Sequence, residues 1–162
     1  MSAPLPPQVG VFQHNPDVAD ALKALRREQP DSRFGYRLST RRVTETMNTA
    51  YSQASRTRKR YLTNPAFMNP EDMDAEGLKD GAKIRISSDA GSVIAYVKTD
   101  QHTRQGVISM MGQWGALNPN DDPEGKTGAF TGRLVSIERD LEEINFMPRQ
   151  SGIPVNIERM AE

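Results

Sequence analysis

The chain has 162 residues, 36% hydrophobic and 26% charged, with 21 basic and 21 acidic side chains and no cysteine. That length suits one domain, but the apolar share lies below the usual ~45–50%, which predicts a small core or one completed against a larger body. The missing cysteine excludes disulfides, thiolate metal sites, iron–sulfur ligation and cysteine nucleophiles within the chain, and no window approaches the roughly 18 apolar residues of a membrane span.

Residues 1–32 read as a linker with a short helix, and residues 33–162 as one barrel domain. Met1 to Gln13 is proline-rich and without period, so it reads as a linker or as a strand cut off from its context. It shows no secretory pattern, and neither Arg26-Arg27 nor Arg41-Arg42 is followed by an apolar run, so a cytoplasmic location is expected. Asn15, Pro16 and Asp17 predict a helix start, with Val18, Ala21, Leu22 and Leu25 forming one stripe up to Glu28, before Pro30. Phe34 to Leu38 alternates as a short strand, and Thr44 to Ser52 is a polar loop or short helix. Tyr61 to Phe67 is extended, because Asn64 precedes Pro65. Asn69 caps a short helix opened by Pro70, Glu71 and Asp72 and stopped by Gly77. Ala82 to Ser87 and Ser92 to Lys98 alternate as a hairpin, with Gly91-Ser92 in an ordinary turn. Gly106 to Met111 is a further strand and Asn118 to Gly128 a polar loop, while Leu134 to Ile137 and Val155 to Ile157 are the last apolar runs. Strands joined by short helices favour a mainly β barrel over a helical bundle.

Charge is unevenly placed. Between Arg33 and Arg60 eight basic residues face Glu45 alone, which predicts an anionic partner for one face. The run Arg56 to Arg60 lacks an accompanying stacking set, so nucleic acid is not the expected partner. His14 and His102 stand alone, without metal-ligand spacing, and the eight methionines are scattered as core fillers would be.

Three blocks in order carry more. Leu38 to Thr49 is similar to a strand-then-loop pattern Leu-x-Thr-Gly-Arg followed by a His-Thr or Asn-Thr pair. Asn64 to Met73, continuing through Gly77 to Gly81, resembles an "Asn-Pro-Glu-Asp, then Gly-x-x-Asp-Gly" segment. Gly106 to Met110 with Trp114-Gly115 and the tail from Met147 to Val155 form the third block. Together they resemble the C-terminal dinucleotide-binding domain of the DMSO reductase family of molybdopterin oxidoreductases, which includes formate dehydrogenases. The resemblance implies a six-stranded double-psi β-barrel with short helices. It also implies contacts to molybdopterin guanine dinucleotide from Thr40, Arg42, Val43, Thr46, Met47, Asn48, Thr49, Trp114 and Ser151. The residue types suit that ligand: hydroxyls and an amide meet pterin edges and phosphates, and Arg42 can grip a phosphate with two parallel bonds. Departures from the pattern are Arg41 for a glycine, Thr46 for a common histidine, Gly112-Gln113 for a His-Gly pair, Gly132 for an asparagine, and Ser151 for a lysine.

By this reading the metal and its ligands lie in other domains or a partner subunit of a molybdenum or tungsten enzyme. The chain alone is then not catalytic; it clamps the pterin dinucleotide. A rival reading is a free-standing double-psi barrel that binds other proteins without a cofactor. The polar run Thr40 to Thr49, which such a module does not need, argues against it.

Overall fold

Branched apolar residues that alternate with polar ones can bury one face only if the sheet they form closes on itself or is covered. In the computed structural model the sheet closes. The structure describes residues 16–27, 31–47, 50–52, 54–112, 114–139, 141 and 145–161. The expectations that fall on residues 1–15, on Asn48 and Thr49, and on the side chain of Leu25 lie outside them. Six strands, β1 (Tyr36–Arg41), β2 (Ala66–Met68), β3 (Lys83–Ser87), β4 (Ser92–Thr99), β5 (Val107–Met111) and β6 (Ile153–Arg159), form a closed barrel in the order β1-β5-β2-β4-β3-β6. The pairs β1–β5 and β2–β4 are parallel and therefore need crossovers, whereas β3–β4 is the antiparallel hairpin read from the sequence. The six-stranded β-barrel with few short helices is thus as the resemblance implied.

The inward positions fill the interior: Leu38, Ile84, Ile86, Ile108, Met110, Met68 and Val155 are fully buried. Each aliphatic side chain so placed contributes about 2 kcal/mol through loss of water contact. Methionines do serve the core, since Met73 and Met111 are buried beside Met68 and Met110, but Met47 and Met147 are exposed.

Helix α3 (Pro70–Ala75) forms as its sequence predicts. The Asn69 side chain accepts from the Glu71 N–H at 2.9 Å, Pro70 occupies the first turn, and Gly77 at φ +62 ends it. It is tied to the turn before β5, because Asp72 accepts from the Gly106 N–H at 2.8 Å and Asn69 donates to the Thr103 carbonyl at 2.9 Å. Helix α1 (Pro16–Arg27) also forms, and Val18 and Leu22 of its apolar stripe remain exposed.

Other expectations need correction. The first strand begins two residues later and ends three residues later than alternation implied, because Ser39, Thr40 and Arg41 pair in register with Ser109, Met110 and Met111 of β5. Thr40 therefore sits at a strand end, not in a loop. The basic run is helical, as α2 (Ser55–Arg60), although it has no apolar stripe. Its buried Thr57 donates to the Glu45 carbonyl at 3.2 Å, which fastens the helix to the preceding loop. Of the two last apolar runs, Leu134 closes a 3-10 turn (Thr131–Leu134) and is buried while Ile137 is exposed, and Val155 to Ile157 lies within β6.

Candidate functional site

At the end of β1 the chain carries Thr40, Arg41 and Arg42 in succession, and a cleft of about 320 Å³ opens beside them. Thr46 flanks it from the following loop. Its floor and far wall come from Met111 and Gly112 at the end of β5, from Trp114, and from Phe130, Thr131 and Gly132. Pro148, Gln150 and Ile153 close it on the β6 side. A Cβ on Gly112 would stand in ordinary contact with the Thr131 hydroxyl (3.7 Å) and the Thr40 methyl (3.9 Å), so this part of the floor lies against both threonines.

The wall is held by a buried amide. Asn64 donates to the carbonyls of Met111 (2.7 Å) and Ala129 (2.8 Å) and accepts from the Ala129 N–H at 2.7 Å. It thereby joins the end of β5 to the segment bearing Phe130 and Thr131, both lining the cleft. The fit is close enough that only glycine serves at position 128: at φ +115 a Cβ there would lie 2.4 Å from the Trp114 ring and 2.7 Å from the Asn64 oxygen. On the outer side Arg133 donates to the Ala116 carbonyl at 2.6 Å and to that of Leu117 at 2.8 Å.

The two neighbouring arginines have opposite surroundings. Arg41 is engaged: it donates to Asp100 at 2.5 Å and to the Ser109 hydroxyl at 3.0 Å, and lies 4.0 Å over the Phe67 ring. The Arg41 hydrogen bond, foremost, holds the Asp100 carboxyl below its ordinary pKa, with the His102 N–H and Thr103 hydroxyl adding to it against the cost of burial. Arg42 is exposed and has no hydrogen-bond or ion-pair partner among the described residues. The excess of positive charge read from the sequence is therefore not one free cationic face. Arg33 is paired with Asp31 and Asp89, Arg41 with Asp100 and Arg60 with Glu45, whereas Arg42, Arg56 and Lys59 are left uncompensated among the described residues.

Of the expected contacts, Thr40, Arg42, Thr46 and Trp114 meet at the cleft. The indole is only 5% exposed and so serves mainly as wall. Val43 is half-buried and does not line the cleft, and Met47 is exposed, its backbone bridged to Ala50. Ser151 faces elsewhere. Gly152 at φ +70 turns the chain just before β6, and the Ser151 hydroxyl lies 3.1 Å from that of Ser39, in a second depression on the outer face of β1 and β5. Phe130, Thr131, Pro148 and Gln150 were not anticipated. A usable signal was present, however: four of the five departures from the family pattern, at Arg41, Thr46, Gly112 and Gly132, line this one cleft. Among the described residues no cluster of three or more His, Cys, Asp or Glu is placed to hold a metal ion, and no helix is long and apolar enough to cross a membrane.

Residues 36–149 match the family model described as the molydopterin dinucleotide binding domain. Protein FwdD of Methanocaldococcus jannaschii is 31% identical over 83 residues, covering 48% of this chain and 62% of that protein. The dimethyl sulfoxide/trimethylamine N-oxide reductase of Rhodobacter capsulatus is 30% identical over 77 residues, 48% of this chain but 9% of the reductase. Among solved structures, acetylene hydratase from Pelobacter acetylenicus superposes with a TM-score of 0.67 over 92% of this chain and 21% of its own, at 18% identity. That likeness speaks for the fold. The aligned part of the chain thus spans less than two thirds of the curated relatives it matches.

Proposed function

The chain belongs to the molydopterin dinucleotide binding domain family, and from that premise we propose that the cleft beside β1 holds the phosphate-bearing part of a molybdopterin guanine dinucleotide. The observation that carries the reading is Arg42, a cation without a partner among the described residues, at a cleft lined by three threonine hydroxyls beside apolar side chains such as Met111, Phe130 and Ile153. An uncompensated guanidinium beside Thr40, Thr46 and Thr131 suits a ligand rich in acceptor oxygens, since charge-assisted bonds to phosphate are the strong ones. Phe130, packed over Gly132, adds an aromatic ring to the lining that suits a planar ring system. The dinucleotide, when bound, supplies the sulfur ligands of a molybdenum or tungsten ion that carries two-electron chemistry. This chain's part is to bind and orient: Arg42 and the threonine hydroxyls fix the ligand's position, and the Asn64-held wall with Trp114 excludes water from one side.

The metal's remaining ligands then come from other domains or from a partner subunit of an oxidoreductase. Ile137 at the cleft rim and Leu117, whose carbonyl accepts from Arg133, are exposed apolar side chains of the kind that such a body would cover. The family match over residues 36–149 favours this reading over a barrel that serves only to bind other proteins.

Isothermal titration of the chain with molybdopterin guanine dinucleotide tests the reading. Loss of a charge-assisted pair is worth roughly 1.5–3 kcal/mol, so Arg42→Ala weakens binding at least about tenfold while the melting temperature stays the same. Equal affinity of the two proteins would sink it.

A further inference from the structure

Two arginines stand side by side at the end of β1, and one carboxylate, Asp100, lies within reach of the first. Arg41 takes it. Its guanidinium donates to Asp100 at 2.5 Å and to Ser109 at 3.0 Å and stacks 4.0 Å over Phe67. It thus ties the end of β1 to β5, to β2 and to the turn after β4. The side chains of the pair are largely covered, 29% exposed for Arg41 and 16% for Asp100. Burial of this degree makes the interaction geometric as well as electrostatic, because the planar fork and the ring leave Arg41 little rotamer freedom.

We propose that Arg41 acts on the anion contact of Arg42 through charge: by occupying Asp100 it neutralises the carboxylate that would otherwise oppose an anion bound at the cleft. The inference rests on the proposed function of the cleft and adds a division of labour between adjacent residues. If Arg41 were absent, Asp100 would remain as an unpaired negative charge behind the strand end. Like charges repel over several ångströms near a protein surface, where the effective dielectric constant is well below that of water. That repulsion falls on any phosphate bound at Arg42.

The test uses the chain with molybdopterin guanine dinucleotide as probe, read by isothermal titration, with circular dichroism melts of each protein alongside. Arg41→Gln is expected to weaken binding about fivefold. Adding Asp100→Asn to it removes the released charge and recovers most of that loss. Asp100→Asn alone binds at least as tightly as the unaltered chain, even though it gives up an ion pair and melts at a lower temperature. This opposite movement of stability and affinity is what a merely structural role does not produce. Should Arg41→Gln fail to fold, the single Asp100→Asn variant still decides, because weaker binding there overturns the proposal. So does a double variant no better than Arg41→Gln, or an Arg41→Gln protein with unchanged affinity while Arg42→Ala binds weakly. If instead Arg42→Ala binds as tightly as the unaltered chain, it is the reading of the cleft that fails.

Discussion

Asn64 shows how much one side chain can carry. Its amide makes three hydrogen bonds to buried backbone groups of Met111 and Ala129, segments 47 and 65 residues away. Truncation leaves two carbonyls and one N–H without partners in a dry place, and each such group costs about 1–3 kcal/mol unless water reaches it. Asn64→Ala is therefore expected to destabilise the fold by about 3 kcal/mol, read as a lowered urea midpoint with unchanged slope. A loss below about 1 kcal/mol would mean that water replaces the amide. In the sequence this residue is legible only as the extended position before Pro65, because its partners are distant and no local pattern encodes them. The cleft is legible in part for the same reason. Thr40, Arg42, Thr46 and Trp114 belong to blocks that a family pattern exposes, and they do assemble at the cleft. Ser151 belongs to such a block too, but the turn at Gly152 sends its hydroxyl to Ser39.

Elements that specify themselves locally were the readable ones. Helix α3 has its cap, its proline and its terminating glycine within nine residues of chain, and the β3–β4 hairpin has strict alternation on both sides of a short turn. In contrast, α2 lacks an apolar stripe and draws its support from the buried Thr57 bond, while the polar second half of β1 is held by parallel pairing to residues seventy positions on, as in Thr40 with Met110. Local propensity cannot report either. The cap of α3 gives a test at this scale. Asn69 both caps Glu71 and bonds the Thr103 carbonyl, so Asn69→Ala loses a cap and a tertiary tie. A cap is worth typically ~1 kcal/mol and the second bond a similar amount, which in a chain of this size lowers the melting point by about 4–8 °C. An unchanged melt would show that α3 is held by its packing alone, through the buried Met73.

At the scale of the whole molecule the net charge is zero, and several opposite charges are matched locally. Asp31, Asp80 and Asp100 all have carboxyl pKa values below 3.8, each held down first by a side-chain hydrogen bond: from Arg33, Thr99 and Arg41 respectively. For Asp80 the donors are the Thr99 hydroxyl and N–H, both at 2.6 Å, and they fasten the turn before β3 to the end of β4. A carboxyl whose pKa is depressed by folding contributes stability that is complete above its unfolded value. That contribution is lost as pH falls through the lower folded value. The unfolded chain binds protons first, so acid drives unfolding. The melting temperature is therefore expected to stay level from about pH 8 to pH 5 and to fall steeply below about pH 4. Asp80→Asn and Asp100→Asn supply the control. Each melts lower than the unaltered chain at neutral pH, and each loses less on acidification, since the group that would take up the proton is gone. A melting curve that declines with the same slope in both variants would place the acid sensitivity on other carboxyls and detach it from the ties that close the barrel at β1 and β4.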